Sequence, residues 1–389
     1  MQMLVNVEFF DENPIENVIT SLNYKVDKTL FFGYQHVLDK ENRNRVEQFL
    51  KKQCGNREVR FYAVDDVNLP EIVDTISAHV KRETEAGNQV FFDLTGGESL
   101  PLVAFGILSR ELKAPMHMYD IHTNKMHEYG YPGVPRLKEF AEHCPVSLDL
   151  DGYISLYGGT INYRMHKDFK DAWSQEEMDD VAAMWKLSRI CGEKWVHYSA
   201  LLRKFAPDSD LMVYADEKQV QAALKRNSAI GSAADLNEFL DSCEAAGFLR
   251  SVCHKNGVYR YTYKNQRIKN YFWDGGSILE MYVFLKEVQD DTFDDCRVGV
   301  HIDWDGVIHK GSGKDVLNEI DIMSIQQNVP TFISCKIGNV DQMALYELET
   351  VANRFGGKYA KKVLAVAKEV APVYLLRAEE MGIEIRVMS

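Results

Sequence analysis

The stretch "NEIDIMSIQQNVPTFISCK", residues 318–336, decides how the chain is read. Two acids two positions apart open an apolar strand, a short turn follows, and a second strand, Thr331 to Ser334, ends in Lys336. A lysine closing a run that otherwise reads as core either marks the exit into solvent or faces the acids across a hairpin. Side chains alternate along a strand, so Glu319 and Asp321 are expected on one face, with Lys336 on the neighbouring strand close enough to meet them. Metal-dependent phosphodiester cleavage needs carboxylates to hold Mg2+ or Mn2+ and a cation near the attacking water, which this hairpin would supply. A surface ion-pair cluster is the alternative for the same residues. Cys335 alternates away from Ser334 and Lys336, so its thiol is expected in the core and only its carbonyl is open to a metal.

The flanks extend the pattern. A helix "SILEMYVFLKEV" carrying Glu280 precedes, with a strand "RVGVHIDW" between; a helix "VDQMALYELETVANRF", a strand "KKVLAVA", a helix "APVYLLRAEEMG" and a strand "IEIRVM" follow. This is an α/β unit over residues 273–389. Residues 1–145 show a second α/β pattern, in which short continuous apolar strands such as "MLVNVEFF", "KTLFFGY" and "QVFFDLTGG" alternate with amphipathic segments. Such runs predict a mostly parallel, Rossmann-like sheet with helices on both faces, closed by the Pro/Gly cluster "YPGVPR". Residues 146–272 read as helical, ending in two strands around a turn at Lys255-Asn256-Gly257, a winged-helix-like order.

With 389 residues the chain is too long for one ordinary core, and two or three domains of roughly 100–200 residues are expected. Apolar residues at 46% and charged residues at 26% are those of a packed globular protein. The beginning "MQMLVNVEFFDENP" has no basic region before an apolar one, and no stretch is long and apolar enough for a membrane span, so no membrane partner and a cytoplasmic location are expected. Seven scattered cysteines without a CxxC or zinc spacing suggest free thiols. A net charge of −13 opposes general binding of a polyanion, while leaving room for an enzyme that engages a few nucleotides through a local groove or metal ions.

Two loops of the first unit could hold a ligand. In "DLTGGES", residues 93–99, a strand gives way to a helix, where two glycines permit close backbone approach and helix N–H groups suit phosphate. In "NPIENV", residues 13–18, Asn13 and Asn17 could donate to a base or phosphate, or Asn13 could cap a helix with Pro14 in its first turn. Together these loops resemble the CARF family, the sensor domains that bind cyclic oligoadenylates made in type III CRISPR immunity. The resemblance implies a ligand site at Asn13, Asn17, Thr95, Gly96, Gly97, Glu98 and Ser99. Family members commonly continue the Gly-Gly with Thr-Lys; here Glu98-Ser99 stands in that place, an anion for a cation.

Over residues 273–389 the order helix with Glu280, strand with Asp321, strand ending in Lys336, then helix resembles the PD-(D/E)XK nuclease fold, as fused to CARF domains in ancillary CRISPR effectors. That resemblance implies Glu280, Glu319, Asp321 and Lys336 as catalytic residues, with Mn2+ or Mg2+ held by Asp321, the Cys335 carbonyl and Glu319 or Glu280. Ser334 stands where the wider superfamily has an acid. The resemblance further implies a homodimer whose paired sensors hold one cyclic tetra-adenylate as allosteric activator, because a symmetric ring suits a two-fold cleft. It implies a nucleic-acid substrate, DNA, with single-stranded DNA and RNA also open. Two alternatives stand beside this one: a ring-responsive transcription regulator reading DNA through residues 232–263, and a ring nuclease whose second domain is a degenerate scaffold.

Overall fold

A computed structural model describes residues 2–53, 55, 58–138, 140–164, 173–205, 210–255, 258–273, 275–290, 292–309 and 316–388. The first apolar runs form β1 (Leu4–Phe9), β2 (Lys28–Tyr34), β3 (Glu58–Val64), β4 (Gln89–Asp93), β5 (Met116–Asp120) and β6 (Lys125–Tyr129), joined into one sheet of order β3-β2-β1-β4-β5-β6. All neighbours are parallel except the β5–β6 hairpin. The crossovers are α1 (Ile19–Tyr24), α2 (Lys40–Gln53), α3 (Leu69–Glu85) and α4 (Ser99–Leu112). Helix α3 shows why such segments fold: the Asn68 side chain accepts from Glu71 N–H, a proline sits in the first turn, and Ile72, Ile76 and Val80 bury one stripe. Strand order reverses between β1 and β4, and in sheets of this kind the crevice outside the carboxyl ends of those strands takes ligands. The loops after β1 and β4 are those carrying Asn13, Asn17 and Thr95–Ser99.

The chain then runs through α5 (Leu150–Leu156), β7 (Thr160–Ile161), α6 (Gln175–Cys191), α7 (Lys194–Phe205), β8 (Met212–Asp216), α8 (Glu217–Arg226), α9 (Ala233–Ala245), β9 (Leu249–Lys255), β10 (Val258–Tyr263) and α10 (Gln266–Trp273). Reciprocal capping by Ser174 with Glu177, Asp216 with Gln219 and Ser232 with Asp235 fixes the starts of α6, α8 and α9. Strands β8, β10 and β9 form a small antiparallel sheet in that order. The turn expected at Lys255-Asn256-Gly257 falls partly outside the described residues.

The last unit comprises α11 (Ser277–Gln289), β11 (Asp295–Asp303), β12 (Leu317–Gln326), β13 (Val329–Lys336), α12 (Gln342–Gly356), β14 (Lys361–Val366), α13 (Pro372–Glu380) and β15 (Ile383–Val387). Its sheet has the order β15-β14-β13-β12-β11-β7, so the short β7, from well before this unit in sequence, closes its edge by pairing Ile161 with Ile302. Strands β11, β12 and β13 form an antiparallel meander, while β13, β14 and β15 are parallel. One apolar core joins the two large sheets: Phe10, Phe31 and Phe91 from the first, Tyr153 of α5, and Phe332 and Phe355 from the last are buried in a single cluster. Full burial of such side chains contributes about 1.5–3 kcal/mol each, so α5 and the sheet faces are held together by more than linker chain. The opposite face of the last sheet, with Ile322, Ile333 and Val363, packs against α11 and the middle helices.

Candidate functional site

The two loops at the switch point are built on buried polar groups. Asp11 joins them: its carboxylate accepts from Asn13 N–H at 2.8 Å and, across the crevice, from Gly97 N–H at 3.1 Å. Asn17, 1% exposed, spends its side chain on Asp11, accepting from its N–H and donating to its carbonyl, each at 2.7 Å. Asn17 therefore shapes the loop rather than presenting an amide outward. Asn13 accepts from the Tyr157 hydroxyl at 2.5 Å, and its amide nitrogen is buried without a partner. Thr95 donates through N–H and hydroxyl to Asp93 at 2.9 and 2.5 Å and accepts from Tyr119 N–H at 2.9 Å, so it too is a brace. Gly96 is buried, with a Cβ there only 3.1 Å from the Cβ atoms of Asp11 and Glu16. Gly97 has φ +123° and a Cβ there would sit 3.0 Å from that of Phe9, so no other residue fits without strain. Glu98 and Ser99, at the start of α4, are exposed.

Beneath the loops, Glu8 and Asp93 lie opposite each other on β1 and β4, both fully buried. Burial first, then the charge of Asp93, pushes the Glu8 carboxyl well above its usual range. Burial likewise pushes Asp93 up to about 6, against the opposing hydrogen bonds from Thr95. The Asn6 amide donates to Glu8 at 2.8 Å and to Ser21 at 3.0 Å, so this polar seam sits directly under the strand ends.

At the other site, regular β12–β13 pairing runs to Ile322 opposite Ile333. Beyond it the Asp321 carboxylate takes the place of the ladder, accepting from Cys335 N–H at 2.6 Å and from the Ser334 hydroxyl at 3.2 Å. Burial raises the Asp321 pKa, the charge of Glu319 raises it further and that of Lys336 lowers it, so the three groups share one electrostatic field. Glu280, in the first turn of α11, acts on the same place: burial first, then the charges of Asp321 and Glu280, push the Cys335 thiol well up. The thiol, partly buried against the cluster under α11, thus stays protonated, and burial does not alternate over Ser334, Cys335 and Lys336. Lys336, half-buried at the end of β13, pairs in register with Val366 of β14.

Strict alternation does not hold along β12. Ile320 packs in the core shared with the first sheet, whereas Ile322 packs under α11. Their cross-strand partners Val300 and Val298 divide the same way, with Gly299 at φ +63° between them. Both strands change faces beside Asp321, so period-2 spacing alone does not put Glu319 and Asp321 side by side. Glu319 instead lies opposite His301 of β11, whose Nε2 is 3.6 Å from its carboxylate and whose Nδ1 is 3.1 Å from the Gly299 carbonyl. Sequence reasoning passed over His301 and Asp11: only the strand register pairs the first with Glu319, and only the folded crevice pairs the second with Gly97.

Among the described residues no three His, Cys, Asp or Glu side chains converge enough to hold a metal ion by themselves. What is present is the Asp321 carboxylate beside the Cys335 main chain, with the charges of Glu319 and Glu280 acting at the same place, and oxygen donors suit Mg2+ or Mn2+ rather than softer metals. The residues fit an ion that completes its shell with water or substrate oxygens. No helix among the described residues is long and apolar enough to cross a membrane.

Comparison with known proteins finds one family model over the last unit and several solved structures that share the fold of the chain. Residues 266–388 match the family model of the Card1-like endonuclease domain. Solved structures similar to the whole chain include protein VC1899 from Vibrio cholerae, 19% identical, with a TM-score of 0.71 over 99% of this chain and 94% of that one. They also include Can2 from Sulfobacillus thermosulfidooxidans, solved in complex with cyclic tetra-adenylate, 14% identical, with a TM-score of 0.66 over 98% and 92%. A type III CRISPR defence DNA nuclease activated by cyclic oligoadenylate is 13% identical, with a TM-score of 0.50 over 94% of this chain and 46% of that one. No curated protein matches the sequence.

Proposed function

We propose that this chain, whose residues 266–388 match a Card1-like endonuclease domain, is an ancillary nuclease of type III CRISPR defence, switched on by a cyclic oligoadenylate. One observation carries the reading: inside the endonuclease match the Asp321 carboxylate binds the Cys335 N–H and the Ser334 hydroxyl on the strand that ends in Lys336, and the same chain holds a mostly parallel sheet with a glycine-rich crevice at its switch point. Residues 1–145 are the CARF-type sensor, 146–272 a winged-helix-like spacer and 273–389 the PD-(D/E)XK-like nuclease. The ligand of Can2 makes cyclic tetra-adenylate the first ring to try, and a two-fold ring is met best by two copies of one crevice. DNA is the first substrate to try, by likeness to the DNA nuclease above.

In this reading an Mn2+ or Mg2+ ion would rest on Asp321 and the Cys335 carbonyl, with Glu319 or Glu280 completing the protein donors; it would supply Lewis-acid activation of water. The Cys335 N–H and Ser334 hydroxyl hold one oxygen of Asp321 and so orient its carboxylate. Lys336 is the cation that stabilises charge building on the attacked phosphate. Ser334, in the place of an acid, removes one carboxylate from the set and favours, as a second reading, a sensor that destroys its own ring over a degenerate nuclease domain. Incubating the protein with Mn2+ or a chelator, labelled single- and double-stranded DNA and RNA, and each cyclic oligoadenylate separates the two. Metal- and ring-dependent cutting of the nucleic acid supports the nuclease; loss of the ring with the nucleic acid intact supports the other.

A further inference from the structure

The crevice loops do not end at the sensor; they are bolted to the last unit of the same chain. Glu16, 3% exposed, lies between the two. On one side its Cβ lies against Gly96, within 3.1 Å of where a Cβ at that glycine would be. On the other its carboxylate accepts from the Tyr359 hydroxyl at 2.5 Å and pairs with Lys358 at 2.9 Å. Beside it Asn13 is held by Tyr157, and a Cβ at Gly357, whose φ is +61°, would lie 2.6 Å from both Asn13 Oδ1 and the Tyr157 hydroxyl. Residues 357–359 leave α12 and lead into β14, which is hydrogen-bonded in register to Ser334 and Lys336. A displacement of the Gly96 loop therefore has a packed path, one side chain long, to the segment that positions the strand bearing Lys336.

The seam also holds hydrogen-bonding capacity in reserve. The second Glu16 oxygen and the Asn13 amide nitrogen are buried without partners, one acceptor and one donor at the same boundary. Buried groups of this kind are costly, so a rearrangement that satisfied them would be favoured on that account, and a ligand in the crevice would bias it through contacts that differ between the two arrangements. Resting on the functional reading above, we propose that Glu16, gripped by Lys358 and Tyr359, is the positioning residue that transmits ring occupancy from the crevice to the nuclease strands. Neither Lys358 nor Tyr359 belongs to the ring crevice or to the Asp321 cluster.

The test uses the full chain carrying Lys358→Met and Tyr359→Phe together, with single-stranded DNA, Mn2+ and saturating cyclic tetra-adenylate. The expected result is a ring-free cleavage rate equal to wild type, ring affinity by calorimetry no weaker than wild type, and a ring-on to ring-off rate ratio reduced at least about fivefold. Coupling between binding steps is reciprocal, so where the ring tightens binding of uncleavable phosphorothioate DNA with Mn2+ in wild type, that DNA should tighten ring binding by the same factor, and the double variant should show neither effect. Lys358→Arg, which keeps the ion pair with Glu16, should retain the wild-type ratio. An unchanged ratio in a double variant that binds the ring overturns the proposal. A wild-type chain that no ring activates overturns the functional reading itself, and the transmitting role with it.

Discussion

Asp321 has one role in the fold and one proposed role in metal binding, and a single substitution can separate them. Its carboxylate would hold the metal, and it also caps β13 by accepting from Cys335 N–H and the Ser334 hydroxyl. Asp321→Ala removes both, stranding a half-buried main-chain donor at a cost of about 1–3 kcal/mol, or roughly 1–4 °C in the melting temperature of a chain of this length. Asp321→Asn keeps an acceptor oxygen for Cys335 and removes only the charge. Because burial raises the pKa of Asp321, its ionised form is unfavourable in the fold at neutral pH, so the neutral amide should melt at the same temperature as wild type or above it. Cleavage should nevertheless fall by about 10²-fold or more, since the charge that would hold the ion is gone. Thermal melts with and without Mn2+ read the metal directly: at a hundred times its dissociation constant an ion stabilises wild type by ~2.7 kcal/mol, and Asp321→Asn should lose that increment. If Asp321→Asn cuts at the wild-type rate and still gains stability from Mn2+, the assignment of this carboxylate is wrong.

Lys336→Ala should lower turnover by about 10²-fold while costing well under ~1 kcal/mol of stability, and Lys336→Arg should stay impaired because a planar fork does not replace a compact ammonium; wild-type rates in both variants would remove Lys336 from the chemistry. Gly97→Val should weaken ring binding and destabilise the chain, by about 1–3 kcal/mol for backbone strain at φ +123° and a similar amount for the contact with Phe9, checked by calorimetry and urea unfolding; an unchanged ring affinity places the ring elsewhere. Asp93, raised from 3.8 to about 6 by burial, contributes stability that is full at pH values below about 4 and lost as pH rises through about 6, a fall of ~3 kcal/mol from this carboxyl. Asp93→Asn should flatten that part of a urea-unfolding pH series, and equal slopes in the two proteins would refute it.

The alternating apolar runs made the two large sheets legible, because strands buried on both faces read as continuous Val, Ile, Leu and Phe. What escaped was short or half-polar. Strand β6 sits at a sheet edge and reads "KMHEY", β7 is two residues long, and β8 alternates exposed and buried positions just before a capped helix. The segment after Pro14, which reads as one helix, becomes regular only at Ile19, because Asn17 turns back to bind the main chain of Asp11. For the same reason Asn17 and Thr95, which carry the polar groups a ligand would want, are braces in the fold. The lysine ending β13 was legible as out of place in a core strand, and it does lie in the field of Asp321 and Glu319. The face change at Gly299 and the partnership of His301 with Glu319 depend on cross-strand register, which no local pattern encodes.

The central claim is that one chain couples a ring-binding crevice to a metal-dependent nuclease. It is tested most directly by the ratio of initial cleavage rates of labelled single-stranded DNA with and without saturating cyclic tetra-adenylate, at fixed Mn2+. The account predicts a ratio well above one in wild type and no cleavage above background in Asp321→Asn under either condition. A ratio of one, or activated cleavage that survives in Asp321→Asn, would contradict it.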